Sequence, residues 1–482
     1  MKKKAFLLFA VVAFVVAAVS CQDPEPLPDP DGGDQTEQPE QSEDKDPVKL
    51  KDFKNTLPLI GNRVFDGKPQ LAVQIENPND TIVTAEVKVR LSTDKGKNLM
   101  TVERIVDVPA NQTVDVELTT DTDMEPGFYK AFYLVNGKVA GSYNFGISPF
   151  DIISEPDMQA DFDEFWAAAK AQLPELKEGE TVNLTEIKSN STHKIYLVEM
   201  QSVPNGLEGD PVIVRGFFVE PQDGQKHPVL MHFFGWDDRN GGVTVPSGGS
   251  DNYTEFWLST RGQYHNNRAA SYEKKEEWIA EHGEWTAADP CTYASILDPN
   301  DKYNWFGFNF GDKNGFYYRG AFMDCVQAVR FMASRETSDM NNLFAEGSSQ
   351  GGALSYACAA LSDYPFTAIA PNVAFLGDYP DYFDIVGWPG NVAKENQGTM
   401  TDEEMYAFLS YFDTKNLATK ISCAVHASSG LADGTCPPHT NFAPFNNLNT
   451  EDKVMIIEPK MGHSYPSGWE TKWRAFFKER MK

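Results

Sequence analysis

Leu343-Phe-Ala-Glu-Gly-Ser-Ser-Gln-Gly-Gly-Ala-Leu-Ser-Tyr-Ala-Cys-Ala-Ala-Leu361 constrains this chain more than any other stretch. Leu343 to Ala345 reads as the end of a buried strand, and the Ala- and Leu-rich run from Gly351 reads as a buried helix. Between them, Gly347-Ser-Ser-Gln-Gly351 fits the G-x-S-x-G pattern of a serine on a sharp strand-to-helix turn. Such a turn strains the serine, and its neighbours two positions away must be small enough to pass close by. It also sets Ser349 at the positive end of a helix, with the Gln350 N–H free to face a developing oxyanion.

Strand-like and helical segments alternate around this turn. Ile195 to Met200, Val212 to Val219 and Pro228 to Phe234 read as strands, the last nearly all apolar and so central. Helical patterns are predicted at Gln159 to Leu173, Phe322 to Ala333, Glu403 to Phe412 and Trp469 to Arg480. Strands are predicted at Ala368 to Phe375, Ala424 to Ala427 and Val454 to Ile457. This alternation implies an α/β fold with a doubly wound, mostly parallel sheet over residues 149–482. Residues 51–148 differ: short period-two segments are separated by turns such as Asp94-Lys-Gly96 and Asn136-Gly137. That pattern implies a small all-β, immunoglobulin-like sandwich, read as a spacer or packing module for the α/β domain.

Ahead of the sandwich, Lys2 to Lys4 and the apolar run Ala5 to Val19 lead to Ala18-Val-Ser-Cys21. Residues 1–20 read as a secretory signal of the bacterial lipoprotein kind, with Cys21 lipidated and the chain anchored in the cell envelope. Residues 21–50, rich in Pro, Asp, Glu and Gln, read as an extended acidic tether. The formal charge of −28 repels nucleic-acid phosphates and argues against a nucleic-acid partner, while a neutral glycan is compatible with it. Beyond Cys21 the cysteines are Cys291, Cys325, Cys358, Cys423 and Cys436. No C-x-x-C or zinc-like spacing occurs among them, Cys325 and Cys358 read as core residues, and a Cys423–Cys436 bridge is allowed.

An elbow serine needs a histidine base and an acid to orient it, in the chain order Ser, Asp or Glu, His. Only His426, His439 and His463 follow Ser349. His426 lies in a strand-like run and reads as a core residue. His439, beside Pro437-Pro438, reads as a capping or surface residue. His463 comes after the last strand, where a base belongs, and is preferred. The acid is expected from the loop after the preceding strand, which supplies Asp433; Asp378, Asp381 and Asp384 are weaker candidates, read otherwise as a solvated loop. A second oxyanion donor is expected from the N–H of Trp236, after Gly235, each such donor being worth ~2.7–4 kcal/mol of barrier.

With those residues in place, the chain from about Asp157 onward resembles the acetyl xylan esterase and cephalosporin C deacetylase family, carbohydrate esterase family seven. The matching pieces are Asp161-Phe-Asp-Glu-Phe-Trp166, Arg261-Gly-Gln263, Tyr317-Tyr-Arg-Gly-Ala-Phe-Met-Asp-Cys-Val-Gln-Ala-Val329, Gly347-Ser-Ser-Gln-Gly-Gly352, Gly430-Leu-Ala-Asp-Gly-Thr-Cys-Pro-Pro438 and Gly462-His463. The resemblance implies an α/β-hydrolase fold and a triad of Ser349, Asp433 and His463, with no cofactor or metal. It implies a serine esterase removing O-acetyl groups from carbohydrate, acetylated xylan or its oligosaccharides. Arg261 and Gln263 are read as tying down loops near the site, and aromatics between Tyr379 and Trp388 as lining its mouth.

Three departures stand out. Phe234-Gly-Trp236 replaces the family's usual His-Gly-Tyr, and Ser464 replaces the glutamate after the histidine, removing a carboxylate that supports that loop. The anchor, tether and sandwich are additions to the family's hexamer-forming domain, which leaves the oligomeric state open. Two other classes fit parts of the sequence. A prolyl-oligopeptidase-type peptidase also joins a β domain to a hydrolase, but no repeat for a propeller is present. A glycan-binding surface lipoprotein with a vestigial triad is the other.

Overall fold

The computed structural model describes residues 54–56, 63–236, 243, 245–250, 253–262 and 305–482. The signal and tether readings, with Cys21, lie outside these residues, as do Gln263 and Cys291.

Among the described residues, eight strands form the N-terminal part: β1 (Lys54–Thr56), β2 (Val64–Phe65), β3 (Ala72–Glu76), β4 (Val83–Thr93), β5 (Asn98–Val108), β6 (Thr113–Glu117), β7 (Gly127–Val135) and β8 (Lys138–Ile147). They make a three-stranded sheet, β1-β3-β6, and a five-stranded sheet, β2-β8-β7-β4-β5. All pairs are antiparallel except β2 with β8. Period-two patterning puts Val83, Ala85, Val87, Val89 and Leu91 of β4 inward, the last four against Val73, Ile75 and Val116 of the facing sheet. Asn136 and Gly137 both take positive φ in the β7–β8 turn, as a tight hairpin demands.

The described residues from 149 onward build a nine-stranded sheet. Its strands are β9 (Val182–Ser189), β10 (His193–Gln201), β11 (Ile213–Pro221), β12 (His227–Phe233), β13 (Thr254–Ser259), β14 (Ser338–Ser348), β15 (Ala368–Asn372), β16 (Ala424–Gly430) and β17 (Lys453–Glu458). Their order is β9-β10-β11-β13-β12-β14-β15-β16-β17. The six strands from β13 to β17 in that order run parallel, and the three before them are antiparallel. Helices α1 (Phe162–Ala171), α2 (Tyr317–Ala333), α3 (Gln350–Leu361), α4 (Tyr379–Ile385), α5 (Gly387–Asn396), α6 (Asp402–Leu409), α7 (Thr414–Ala418), α8 (Pro438–Asn446) and α9 (Trp469–Lys478) complete it.

Strand β14 shows why its sequence carries an unbroken apolar run. Leu343 and Ala345 face the core shared with α2 and α3, while Phe344 faces Trp473, Phe476 and Phe477 of α9. Both faces of the sheet are covered, so both side-chain rows must be apolar. The predicted helices and strands appear with shifted ends; Phe322 to Ala333, for example, begins five residues earlier, at Tyr317.

Candidate active site

The elbow adopts the geometry its sequence requires. Ser349 sits between β14 and α3 with φ 58° and ψ −120°, a conformation that side chains rarely adopt. A Cβ on Gly347 would lie 2.3 Å from the Gly351 carbonyl oxygen, and one on Gly351 would lie 2.1 Å from that of Phe233. Only glycine fits at either place. The Ser349 N–H donates to the Asn372 carbonyl at 2.9 Å, and its carbonyl accepts from the Phe375 N–H at 3.0 Å, so β15 and the segment after it hold the strained residue from both sides.

The other two side chains come from the last two strands. His463 Nε2 is 2.9 Å from Ser349 Oγ, and His463 Nδ1 is 2.8 Å from Asp433 Oδ2. The Asp433 side chain is fully buried, and its Oδ1 accepts the N–H groups of Thr435 and Cys436 at 2.8 and 2.9 Å. One carboxylate oxygen is thereby fixed by backbone, leaving the other to orient the imidazole. The acid and base loops are also tied together. The N–H of Leu431 donates to Glu458 and that of Ala432 to Met461, and a Cβ on Gly430 would come within 2.3 Å of the Met461 carbonyl oxygen.

Gln350 is the first residue of α3, so its N–H has no carbonyl within the helix to bind. Its side chain is buried, with Oε1 accepting from the Tyr318 hydroxyl at 3.2 Å. The Gly235-Trp236 turn comes after β12 and passes beside the elbow, the ideal Cβ position of Gly235 lying 3.5 Å from the Ser348 carbonyl oxygen. The Trp236 ring stands against Trp305 at 4.6 Å and edge-on to Trp388 at 5.6 Å, while Trp388 stacks on Phe375 at 5.2 Å. Of the aromatics expected at the mouth, Trp388 is therefore at this wall and partly exposed, whereas Tyr379 and Tyr382 are buried packing residues.

Arg261 lies further back. Its guanidinium and the Asp324 carboxylate, at 2.6 Å, are both fully buried, with Ser202, Asn205 and the Val203 carbonyl as further acceptors. The Arg261 carbonyl accepts from Tyr317 Oη at 2.8 Å, and the Tyr317 ring lies parallel to Trp305, which backs Trp236. Arg261 is thus a clamp beneath the aromatic wall.

The remaining candidates separate by environment. His426 is a core histidine whose ring faces Trp469 and Phe476, and burial lowers its pKa to about 4. His439 is not the capping or surface residue expected. It is buried, with Nε2 3.1 Å from Asp378 and 3.0 Å from Asp381. Burial opposes its protonation, but these two carboxylates outweigh that and raise its pKa to about 9. Asp378 and Asp381 likewise are not a solvated loop, since Asp378 also binds Lys415 Nζ at 2.9 Å and Asp381 binds Lys95 Nζ. Asp378, Asp381 and His439 place three ligand atoms close enough for a metal, yet two ammonium groups already balance their charge.

Two residues escape sequence reasoning. Asn372 ends β15 fully buried; its Nδ2 donates to Ser348 Oγ at 2.7 Å and to the Ser464 carbonyl at 3.1 Å, and its Oδ1 accepts from Ser428. It therefore joins the elbow to the base loop and supplies support that Ser464 cannot give as a side chain. The only local signal is a polar amide ending an apolar strand, Ala368-Ile-Ala-Pro-Asn372. Cys436 reaches Ser349 with a thiol that burial keeps protonated, so it is no rival nucleophile. Cys325, Cys358, Cys423 and Cys436 are all free thiols, and the allowed Cys423–Cys436 bridge is not formed.

The chain is 26% identical over 344 residues to the acetyl esterase Axe7A of Xylanibacter ruminicola, covering 71% of this chain and 72% of that one. An acetyl xylan esterase structure from a Paenibacillus species aligns with TM-score 0.54 and 25% identity, covering 69% of this chain and 98% of that chain. Acetyl xylan esterase 1 from a Thermoanaerobacterium species aligns with TM-score 0.53 and 22% identity over the same shares, a likeness of fold. The acetyl xylan esterase (AXE1) family model matches residues 152–481, the whole of the nine-stranded sheet with its helices, and the chain belongs to that family.

Proposed function

We propose that this protein is a serine esterase that hydrolyses O-acetyl esters on carbohydrate, with acetylated xylan or its oligosaccharides as substrate. The observation that carries the reading is the chain of contacts from Ser349 Oγ through His463 to the buried Asp433, built on the strained elbow of an acetyl xylan esterase family member. Ser349 Oγ attacks the ester carbonyl carbon as His463 Nε2 takes its proton. Asp433 holds the imidazole with Nδ1–H toward the carboxylate and stabilises the imidazolium. The N–H groups of Gln350 and Trp236 receive the oxyanion. His463 then returns the proton to the departing sugar oxygen, leaving an acetyl group on Ser349. Water, deprotonated by the same imidazole, releases acetate and restores the serine.

The basic, apolar and small-residue pattern ending at Cys21 supports a lipid-anchored protein of the bacterial cell envelope, held off the membrane by its acidic tether. Free acetate from a panel of acetylated glycans tests the substrate reading, using the chain without residues 1–21. Release from acetylated xylan is the expected result. Release from acetylated pectin or peptidoglycan but not xylan would move the substrate and leave the chemistry in place.

A further inference from the structure

The two halves of the triad hang from different parts of the sheet. Ser349 comes after the central strand β14, whereas Asp433 and His463 come after β16 and β17, and among the described residues β17 is the sheet's edge. An edge strand is the least supported part of a sheet. Here the N-terminal sandwich covers it. Phe128 and Val64 of the sandwich pack with Leu431, Phe442, Met455 and Ile457, and the Phe128 and Phe442 rings lie 5.3 Å apart. Asn144 Nδ2 of β8 donates to the Leu431 carbonyl at 2.6 Å, two residues before Asp433.

A second connection runs through the β4–β5 turn. Lys95 Nζ binds Asp381 and lies 3.7 Å from Asp384, both on α4. Asp381 and Asp378 grip His439 in the first turn of α8, with Asp94 adding a further negative charge from the β4–β5 turn and Lys415 balancing Asp378 from α7. The Tyr382 hydroxyl on α4 donates to the Thr435 carbonyl at 2.6 Å. The loop from Leu431 to His439, with Asp433 in its middle, is therefore held at its start by Asn144, at Thr435 by α4, and at its end by a charge cluster that Lys95 completes.

We propose that the N-terminal sandwich is a working part of the active site: Asn144 and Lys95 are positioning residues that hold the Asp433 loop in register with Ser349. This rests on the esterase reading above. A side chain that orients a base must be held to a fraction of an ångström, and a loop at a sheet edge reaches that precision only when buttressed from outside. Both buttresses act on backbone or on helix termini around Asp433, and neither touches the reacting atoms.

The test compares Asn144→Ala, Lys95→Ala and the double variant with the wild type, adding Lys95→Arg as rescue and Thr84→Ala as a control within the sandwich. Two rates are read: kcat and KM on p-nitrophenyl acetate, and the rate at which a fluorophosphonate labels Ser349. The double variant is expected to lose about tenfold in kcat and in labelling rate, with KM within about twofold of wild type. Lys95→Arg is expected to stay near the wild-type rates, and Thr84→Ala to match them. Folded variants, by circular dichroism, that keep both wild-type rates would overturn the proposal, as would a loss confined to KM. If the double variant does not fold, Asn144→Ala, which removes one hydrogen bond, carries the same two readings. Should the wild type release no acetate from glycans, the substrate reading falls while fluorophosphonate labelling still decides this one.

Discussion

His463, on the loop after β17, and His439, in the first turn of α8, each touch aspartate, yet their surroundings differ. His463 has one carboxylate at Nδ1, a hydroxyl at Nε2, and a side chain 30% exposed. Its Nε2 faces the Ser349 hydroxyl, and part of the ring reaches solvent. His439 is buried between two carboxylates, and its pKa of about 9 keeps it a cation at neutral pH. A permanent imidazolium cannot serve as a base, but it can hold Asp378 and Asp381 together. Residue type is the same in both places; a second carboxylate and the loss of solvent access are what make His439 a rivet.

Exchanging the two roles by mutation gives the largest separation. His463→Gln or Ser349→Ala should lower kcat/KM by roughly 10⁴-fold or more, with little change in unfolding midpoint. His439→Gln should do the reverse, destabilising the fold by about 1.5–3 kcal/mol because the buried Asp378 and the half-buried Asp381 lose a shared cation while Lys415 and Lys95 stay in place, and lowering kcat by about tenfold at most. Chemical denaturation and steady-state kinetics on the same preparations separate the two outcomes. Equal kinetic losses at both histidines would break the comparison.

The aspartates sharpen it. Asp433→Asn should cost ~10⁴ in kcat, since an amide can present its N–H to Nδ1 and favour the wrong tautomer. Asp378→Asn should appear mainly as lost stability, read from the denaturation midpoint, because it strips a buried ammonium and imidazolium of a partner.

Asn372 lies between these extremes. Asn372→Ala removes the donor to the Ser464 carbonyl and the tie to Ser348, and is expected to lower kcat by about 10–100-fold and stability by about 1–3 kcal/mol. A purely structural residue would lower stability alone, so kcat measured well below the melting range discriminates.

The smallest effect concerns pH. His439 has a folded pKa near 9 against 6.5 as an ordinary value, so its contribution to stability is complete below about 6.5 and is lost as pH rises through about 9. His232, between Glu346 and Glu255, is raised to about 9 as well and acts in the same direction. His426 acts at the other end: its pKa of about 4 means stability is lost as pH falls from about 6.5 toward 4. Melting temperature followed across the pH range should fall on the alkaline side in the wild type, and fall less steeply there in His439→Gln.

The same comparison explains what is legible in the sequence. Ser349, Asp433 and His463 are readable because strand order fixes which loops meet at the carboxyl edge of a parallel sheet, and glycines mark the sharp turns among them. The sandwich is readable from period-two patterning and its turn residues. His439 is misread because its partners lie about 60 residues away, and nothing local reveals that Asp378 and Asp381 fold onto it. Asn372 is missed for a related reason: a strand's last residue looks the same whether its side chain meets water or the segments that carry Ser349 and His463. The covering of the sheet edge by Phe128 and Asn144 depends on how two separately patterned regions dock, which periodicity within either cannot express.

The central claim is that Ser349 carries the acyl group during turnover. Rapid quenching of the enzyme with p-nitrophenyl acetate, coupled to mass spectrometry of the peptide containing residues 343–361, measures it directly. The account predicts one added acetyl group on Ser349, formed and lost at rates that match turnover. Hydrolysis at the normal rate with no acetyl on that serine, or in a Ser349→Ala variant, would contradict it.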